Sequence, residues 1–143
     1  MIVLDTNVVS ELMKSTPDPA VVSWVNAMPG PTMFISAITR AEILYGVTLV
    51  AEGKRRDSLE RAAHAAFETY FRGRILPFDA DAADAFAPLA AARRQAGRPI
   101  SLPDAQIAAI ARSRGAALAT RNVRDFNECG IDVIDPWHIA GKS

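Results

Sequence analysis

Asp5 ends an apolar run, Ile2-Val3-Leu4, and is followed by Thr6 and Asn7. Glu42 closes Ser36-Ala37-Ile38-Thr39-Arg40-Ala41-Glu42, Asp104 closes Ser101-Leu102-Pro103-Asp104, and Asn122 and Asp125 follow Ala119-Thr120-Arg121. Carboxylates brought to one place repel, and one or more keeps its proton unless a cation compensates. Oxygen donors alone suit a hard ion, Mg²⁺ or Mn²⁺, which keeps several waters and binds substrate phosphates. Zinc would need a Cys/His cluster, whereas His64 and His138 stand apart and Cys129 is the single cysteine. Such an ion polarises a phosphodiester and lowers the pKa of a bound water.

Each acid also has a purely local explanation. Asp5 can be a turn residue that caps the next helix. Glu42 can pair with Arg40 or another base. Asp104 can be a favourable charge at a helix N-terminus, worth about 0.3–1 kcal/mol. What separates the two explanations is where the elements put these residues.

Short, continuously apolar runs predict strands at Ile2-Val3-Leu4, Met33-Phe34-Ile35, Ile75-Leu76-Pro77-Phe78, Ala117-Leu118-Ala119 and Asp132-Val133-Ile134. Helices are expected between them, over residues 8–14, 19–27, 37–52, 55–71, 80–95 and 103–114. Asp18 before Pro19, Asp79 before an Ala-rich stretch, and Ser101 are N-cap candidates; Gly97 and Gly115 stand at helix ends. Gly30-Pro31 and Gly97-Arg98-Pro99 read as loops, and Gly141-Lys142-Ser143 as a frayed end. Alternating strands and helices imply an α/β sandwich with a mostly parallel sheet. Ligands bind outside the carboxyl ends of such strands. Four separate segments therefore deliver Asp5, Glu42, Asp104, and Asn122 or Asp125 to one rim.

The 143 residues, 50% hydrophobic and 22% charged, suit one domain spanning residues 1–143. Sixteen basic and 16 acidic residues cancel, which excludes bulk attraction to nucleic acid but not a local basic groove. Basic residues do cluster, at Lys54-Arg55-Arg56, Arg72 with Arg74, Arg93-Arg94 with Arg98, and Arg121 with Arg124. One cysteine permits no intrachain disulfide, which fits a reducing compartment. Asp5 interrupts the apolar start before a signal peptide forms, and no apolar run is long enough to span a bilayer. A cytoplasmic protein is expected.

The motifs Leu4-Asp5-Thr6-Asn7, residues 36–42 with Tyr45-Gly46, residues 103–111, Ala119-Thr120-Arg121-Asn122 and Asp135-Pro136-Trp137 come in a specific order. Together they resemble PIN-domain ribonucleases, and among them the VapC-type toxins of bacterial toxin–antitoxin pairs, particularly the FitB-like branch. The resemblance covers essentially the whole chain. It implies a PIN-like three-layer sandwich, with a short sheet of about five strands flanked by helices, and a metal-dependent endoribonuclease. By position, Asp5, Glu42 and Asp104 match the family's best-shared acids. Asp5 and Asp104 would hold Mg²⁺ or Mn²⁺, while Glu42 would orient a water, accept its proton or ligate. Thr6 or Thr120 matches a supporting position. The family's fourth acid is Asn122 here, which adds no negative charge; Asp125 is the substitute one turn on. Arg121 and Arg124, with Arg40 and Arg98, would hold flanking phosphates of an RNA substrate.

The resemblance further implies a homodimer and a cognate VapB-like antitoxin laying a helix into an apolar groove. Leu12, Met13, Trp24, Val25 and Leu44 are groove candidates, although each also reads as core. Two other classes compete. A catalytically silent nucleic-acid-binding module would keep the fold, and Asn122 favours it. A phosphoacceptor signalling domain would use Asp5, but it needs a paired acid and a late lysine, and the only lysines are Lys14, Lys54 and Lys142.

Overall fold

The structure is a computed structural model and describes residues 1–139. The expected frayed end at Gly141-Lys142-Ser143 lies outside them. Five strands form one sheet: β1 (Ile2–Leu4), β2 (Met33–Ser36), β3 (Ile75–Leu76), β4 (Ala117–Ala119) and β5 (Val133–Ile134). Their order is β3-β2-β1-β4-β5, and every pairing is parallel. The helices are α1 (Thr6–Leu12), α2 (Pro19–Ala27), α3 (Ala37–Leu49), α4 (Lys54–Ala65), α5 (Ala80–Gln95) and α6 (Leu102–Ser113).

Strand alternation divides the core in two. Leu4, Ile35 and Ala119 face a cluster with Val8, Trp24, Ile43 and Phe67, contributed by the first four helices and the turn after α4. Val3, Leu76 and Leu118 face the opposite side, packed on Leu89, Ile107 and Ile110 of α5 and α6. Helices thus cover both faces of the sheet, as a parallel sheet requires. No helix among the described residues is long and apolar enough to cross a membrane.

Several boundaries depart from the sequence expectation. α1 starts two residues early because Asp5 caps it. α3 stops at Leu49 rather than at residue 52. The helix expected over 55–71 ends at Ala65 and continues as a π-helical turn, Ala66–Tyr70. The Arg74 guanidinium caps that region, donating to the carbonyls of Gly30, Met33 and Tyr70. β3 stops before Pro77, which has no N–H for the ladder. Trp24 and Val25 belong to the buried core, and Leu12 packs against it, so these groove candidates are packing residues.

Candidate active site

β1 sits between β2 and β4, so the chain reverses its direction of travel across the sheet there. Such a switch point leaves a crevice at the carboxyl ends of the strands. Asp5 follows β1 directly, with extended backbone (φ −67°, ψ 161°), and its Oδ1 accepts the Thr6 N–H at 2.8 Å. The local reading of Asp5 as a cap is therefore correct, but it uses only one oxygen. Oδ2 accepts the Thr120 hydroxyl at 2.7 Å and Asn7 Nδ2 at 3.3 Å. Thr120 follows β4 and is fully buried. Asn7 Nδ2 also reaches Thr120 Oγ1 at 3.2 Å, and Asn7 Oδ1 accepts the Arg121 N–H at 3.3 Å. The Asn122 N–H donates to Thr120 Oγ1 at 3.1 Å. These bonds tie the end of β1 to the end of β4.

Glu42 comes from the second turn of α3, which Ser36 caps by accepting the Thr39 N–H at 3.0 Å. Thr6 Oγ1 donates to Glu42 Oε1 at 2.7 Å and lies 2.9 Å from Thr39 Oγ1. A hydroxyl has one proton, so Thr39 donates to Thr6, and Thr6 to Glu42. Arg40 does not pair with Glu42. It bonds Glu68 at 3.1 Å and lies over the Phe67 ring at 5.2 Å. Asp104 occupies the first turn of α6, where its N–H donates to Ser101 Oγ at 3.3 Å.

Asp5, Glu42 and Asp104 line one cleft of about 420 Å³, together with Thr6, Asn7, Arg121 and Asn122. None of the three acids forms an ion pair among the described residues. Burial pushes the Asp5 carboxyl up to about 6; hydrogen bonds from Thr120 and Thr6 oppose this, and the charges of Asp104 and Glu42 add to it. Asp104 is also raised, first by burial, with the Ser101 hydroxyl opposing, Asp125 and Glu42 repelling, and Arg93 compensating. Among the described residues no three His, Cys, Asp or Glu side chains converge into a ready ligand set. The cleft's acids and amides are oxygen donors, the donor chemistry of a hard ion that keeps several waters rather than of one bound by Cys and His. Uncompensated negative charge on a half-buried rim is the feature such an ion would neutralise.

The remaining expected site residues divide. Asn122 and Arg121 line the cleft; Asp125 and Arg124 do not, although the Asp125 charge acts on Asp104. Arg98 pairs with Glu128 at 3.3 Å. Residue-by-residue reading missed Asn7, Glu11 and Trp137. Glu11 is buried yet lines the cleft. Its carboxyl is held down by Lys14 at 2.9 Å and by the Asp18 N–H at 3.0 Å. The Arg121 guanidinium lies over the Trp137 ring at 5.2 Å. A polar residue inside an apolar helix face was the available signal for Glu11; for Asn7 and Trp137 it was membership of the Leu4-Asp5-Thr6-Asn7 and Asp135-Pro136-Trp137 motifs. A larger groove of about 690 Å³ opens beside the acids between α1, α3 and α4, and shares Thr6, Ser10, Lys14 and Glu42 with the cleft. Met13 is the one groove candidate that lines it.

The chain is similar to the VapC ribonuclease Y4jK of Sinorhizobium fredii, 42% identical over 98% of this chain and 100% of that protein. It is 36% identical to the toxin FitB of Neisseria gonorrhoeae, over 96% of this chain and 99% of the other. Among solved structures it superposes on a chain of FitAB bound to a DNA fragment, with a TM-score of 0.92 and 35% identity over 100% of both chains. The PIN domain family matches residues 2–131. With that match, two curated relatives over nearly its full length, and acids gathered where the sheet reverses, the chain belongs to the PIN-domain family.

Proposed function

We propose that this protein is an endoribonuclease dependent on Mg²⁺ or Mn²⁺ and the toxin of a type II toxin–antitoxin pair, acting in the cytoplasm on RNA. The observation that carries the reading is the set of unpaired acids, Asp5, Glu42 and Asp104, lining one cleft at the switch point, the first two held by hydroxyl and amide donors. The VapC ribonuclease and FitB toxin relatives support the reaction class and the biological role. The FitAB likeness supports a cognate VapB-like antitoxin.

Asp5 and Asp104 would hold the ion. It would supply polarisation of the phosphodiester and a more acidic water. Thr6 fixes Glu42 through Oε1, which leaves Oε2 to take a proton from a water in the cleft. Arg121 would steady a flanking phosphate, since it lines the same cleft and is braced on Trp137. Arg40 and Arg98 are engaged by Glu68 and Glu128 and are poorer candidates. The groove beside the acids, where Met13, Ile43, Val47 and Leu59 lie among polar residues, suits an amphipathic antitoxin segment. Leu44, Tyr45 and Leu49, exposed along α3, favour a homodimer that covers them.

Incubating total RNA with purified protein and Mg²⁺ or Mn²⁺ tests this, beside Asp104→Asn and EDTA controls. Cleavage that vanishes in both controls is expected. Equal cleavage by Asp104→Asn would remove the site. Asn122, where a fourth acid would stand, favours one second reading, a silent RNA-binding module. RNA binding without cleavage, under any metal, would select it.

A further inference from the structure

Arg93 is a buried cation that the reaction above does not use. It is 5% exposed on α5, and it forms no ion pair among the described residues. Its guanidinium spends its donors on backbone. Nε donates to the Arg98 carbonyl at 2.8 Å; Nη1 donates to the carbonyls of Asp125 at 2.7 Å and Asn127 at 3.1 Å, and lies 3.5 Å from Cys129 Sγ. Arg98 belongs to the turn between α5 and α6, which leads to Ser101 and Asp104. Asp125 and Asn127 belong to the loop after β4, which begins with Thr120 and Asn122. One side chain therefore joins the two segments that form the far half of the cleft. The Arg98–Glu128 ion pair spans the same two segments at the surface.

Holding the fold together does not require a charge here. Burying a cation is unfavourable unless dipoles compensate, and an apolar side chain of similar volume is often as stable. An arginine fork meets carbonyls on two loops at once in a fixed plane; a lysine, a point donor on a flexible stem, does not. The guanidinium charge also favours the Asp104 anion, which burial and the charges of Asp125 and Glu42 disfavour.

We propose that Arg93 is a positioning residue of the nuclease site: it fixes the Asp104 turn against the Asn122 loop and so sets the spacing of the acids across the cleft. The inference rests on the nuclease reading. The test compares Arg93→Lys and Arg93→Met with wild type and with Arg94→Gln, an exposed neighbour on the same helix. Three quantities are read: RNA cleavage kinetics, Mn²⁺ binding by electron paramagnetic resonance, and amide hydrogen exchange of residues 98–104 and 122–127. In folded variants kcat should drop at least about tenfold and half-saturating Mn²⁺ should rise several-fold. KM for RNA should stay within about twofold, and both segments should exchange faster. Arg94→Gln should match wild type in all three. Folded Arg93 variants with wild-type kcat and Mn²⁺ affinity overturn the proposal. If neither variant folds, native-state exchange of the wild type decides: the two segments opening in one step supports the tie, and independent opening overturns it. Exchange needs no RNA, so a wild type that cleaves nothing would sink the nuclease reading while the tie is judged separately.

Discussion

Asp5 caps α1 with one oxygen and accepts the Thr120 hydroxyl with the other; both bonds favour its anion, while burial favours the protonated form and prevails. Its folded value of about 6 lies above the ordinary 3.8, so the native state binds the proton more tightly than the unfolded chain does. In the metal-free protein, stability from this group is fully present below about pH 4 and is lost as pH rises through about 6, a difference on the order of 3 kcal/mol. Asp5→Asn removes that slope. In EDTA near pH 7 it should unfold about 1–3 kcal/mol later than wild type by urea titration, while nuclease activity disappears. Parallel stability–pH curves for the two proteins would show that burial does not strain Asp5. The acid itself was legible in the sequence, as a carboxylate ending an apolar run. The relay from Thr39 through Thr6 to Glu42 was not, because it depends on β1 and β2 lying side by side in register, with Ile2 opposite Met33.

At the scale of elements, strand positions were read closely because each strand is buried on both faces and hence uniformly apolar. Helix ends were read less well. The α4 pattern continues apolar through Phe67 and Phe71, both buried, but the backbone shifts into a π-helical turn, and Arg74 caps the Tyr70 carbonyl from beyond it. Periodicity records which side chains are buried and is blind to such a shift in hydrogen bonding. Ser101 shows how an element end serves the site: its hydroxyl caps the Asp104 N–H. Ser101→Ala should destabilise the protein by about 0.5–2 kcal/mol in thermal unfolding, and Ser101→Gly by only a few tenths. Activity should decline in the same order, because the capped turn carries Asp104. Equal effects of Ala and Gly would separate the cap from the site.

For the molecule as a whole, zero net charge hides a local imbalance, with acids on the rim and cations paired or stacked around it. A divalent ion that binds only the folded form should raise Tm. The rise with saturating Mg²⁺ or Mn²⁺ should be larger near pH 7 than near pH 5, because at the lower pH the Asp5 proton competes with the ion. Differential scanning fluorimetry would check this, and Asp5→Asn should shrink the shift at both pH values. The sheet order has a consequence for synthesis. Because β1 pairs with β4, Asp5 finds Thr120 only after 115 further residues have joined the chain. A polypeptide grown to residue 100 holds Asp5 and Glu42 but has neither Asp104 nor the Thr120 hydroxyl, and the central strand lacks one neighbour. A domain generally folds as a unit, and this one lacks Asp104 and β4 until late in synthesis, so its catalytic rim can close only after those segments have joined the chain. The ribosome, itself built of RNA, makes a nuclease that stays harmless through most of its own elongation.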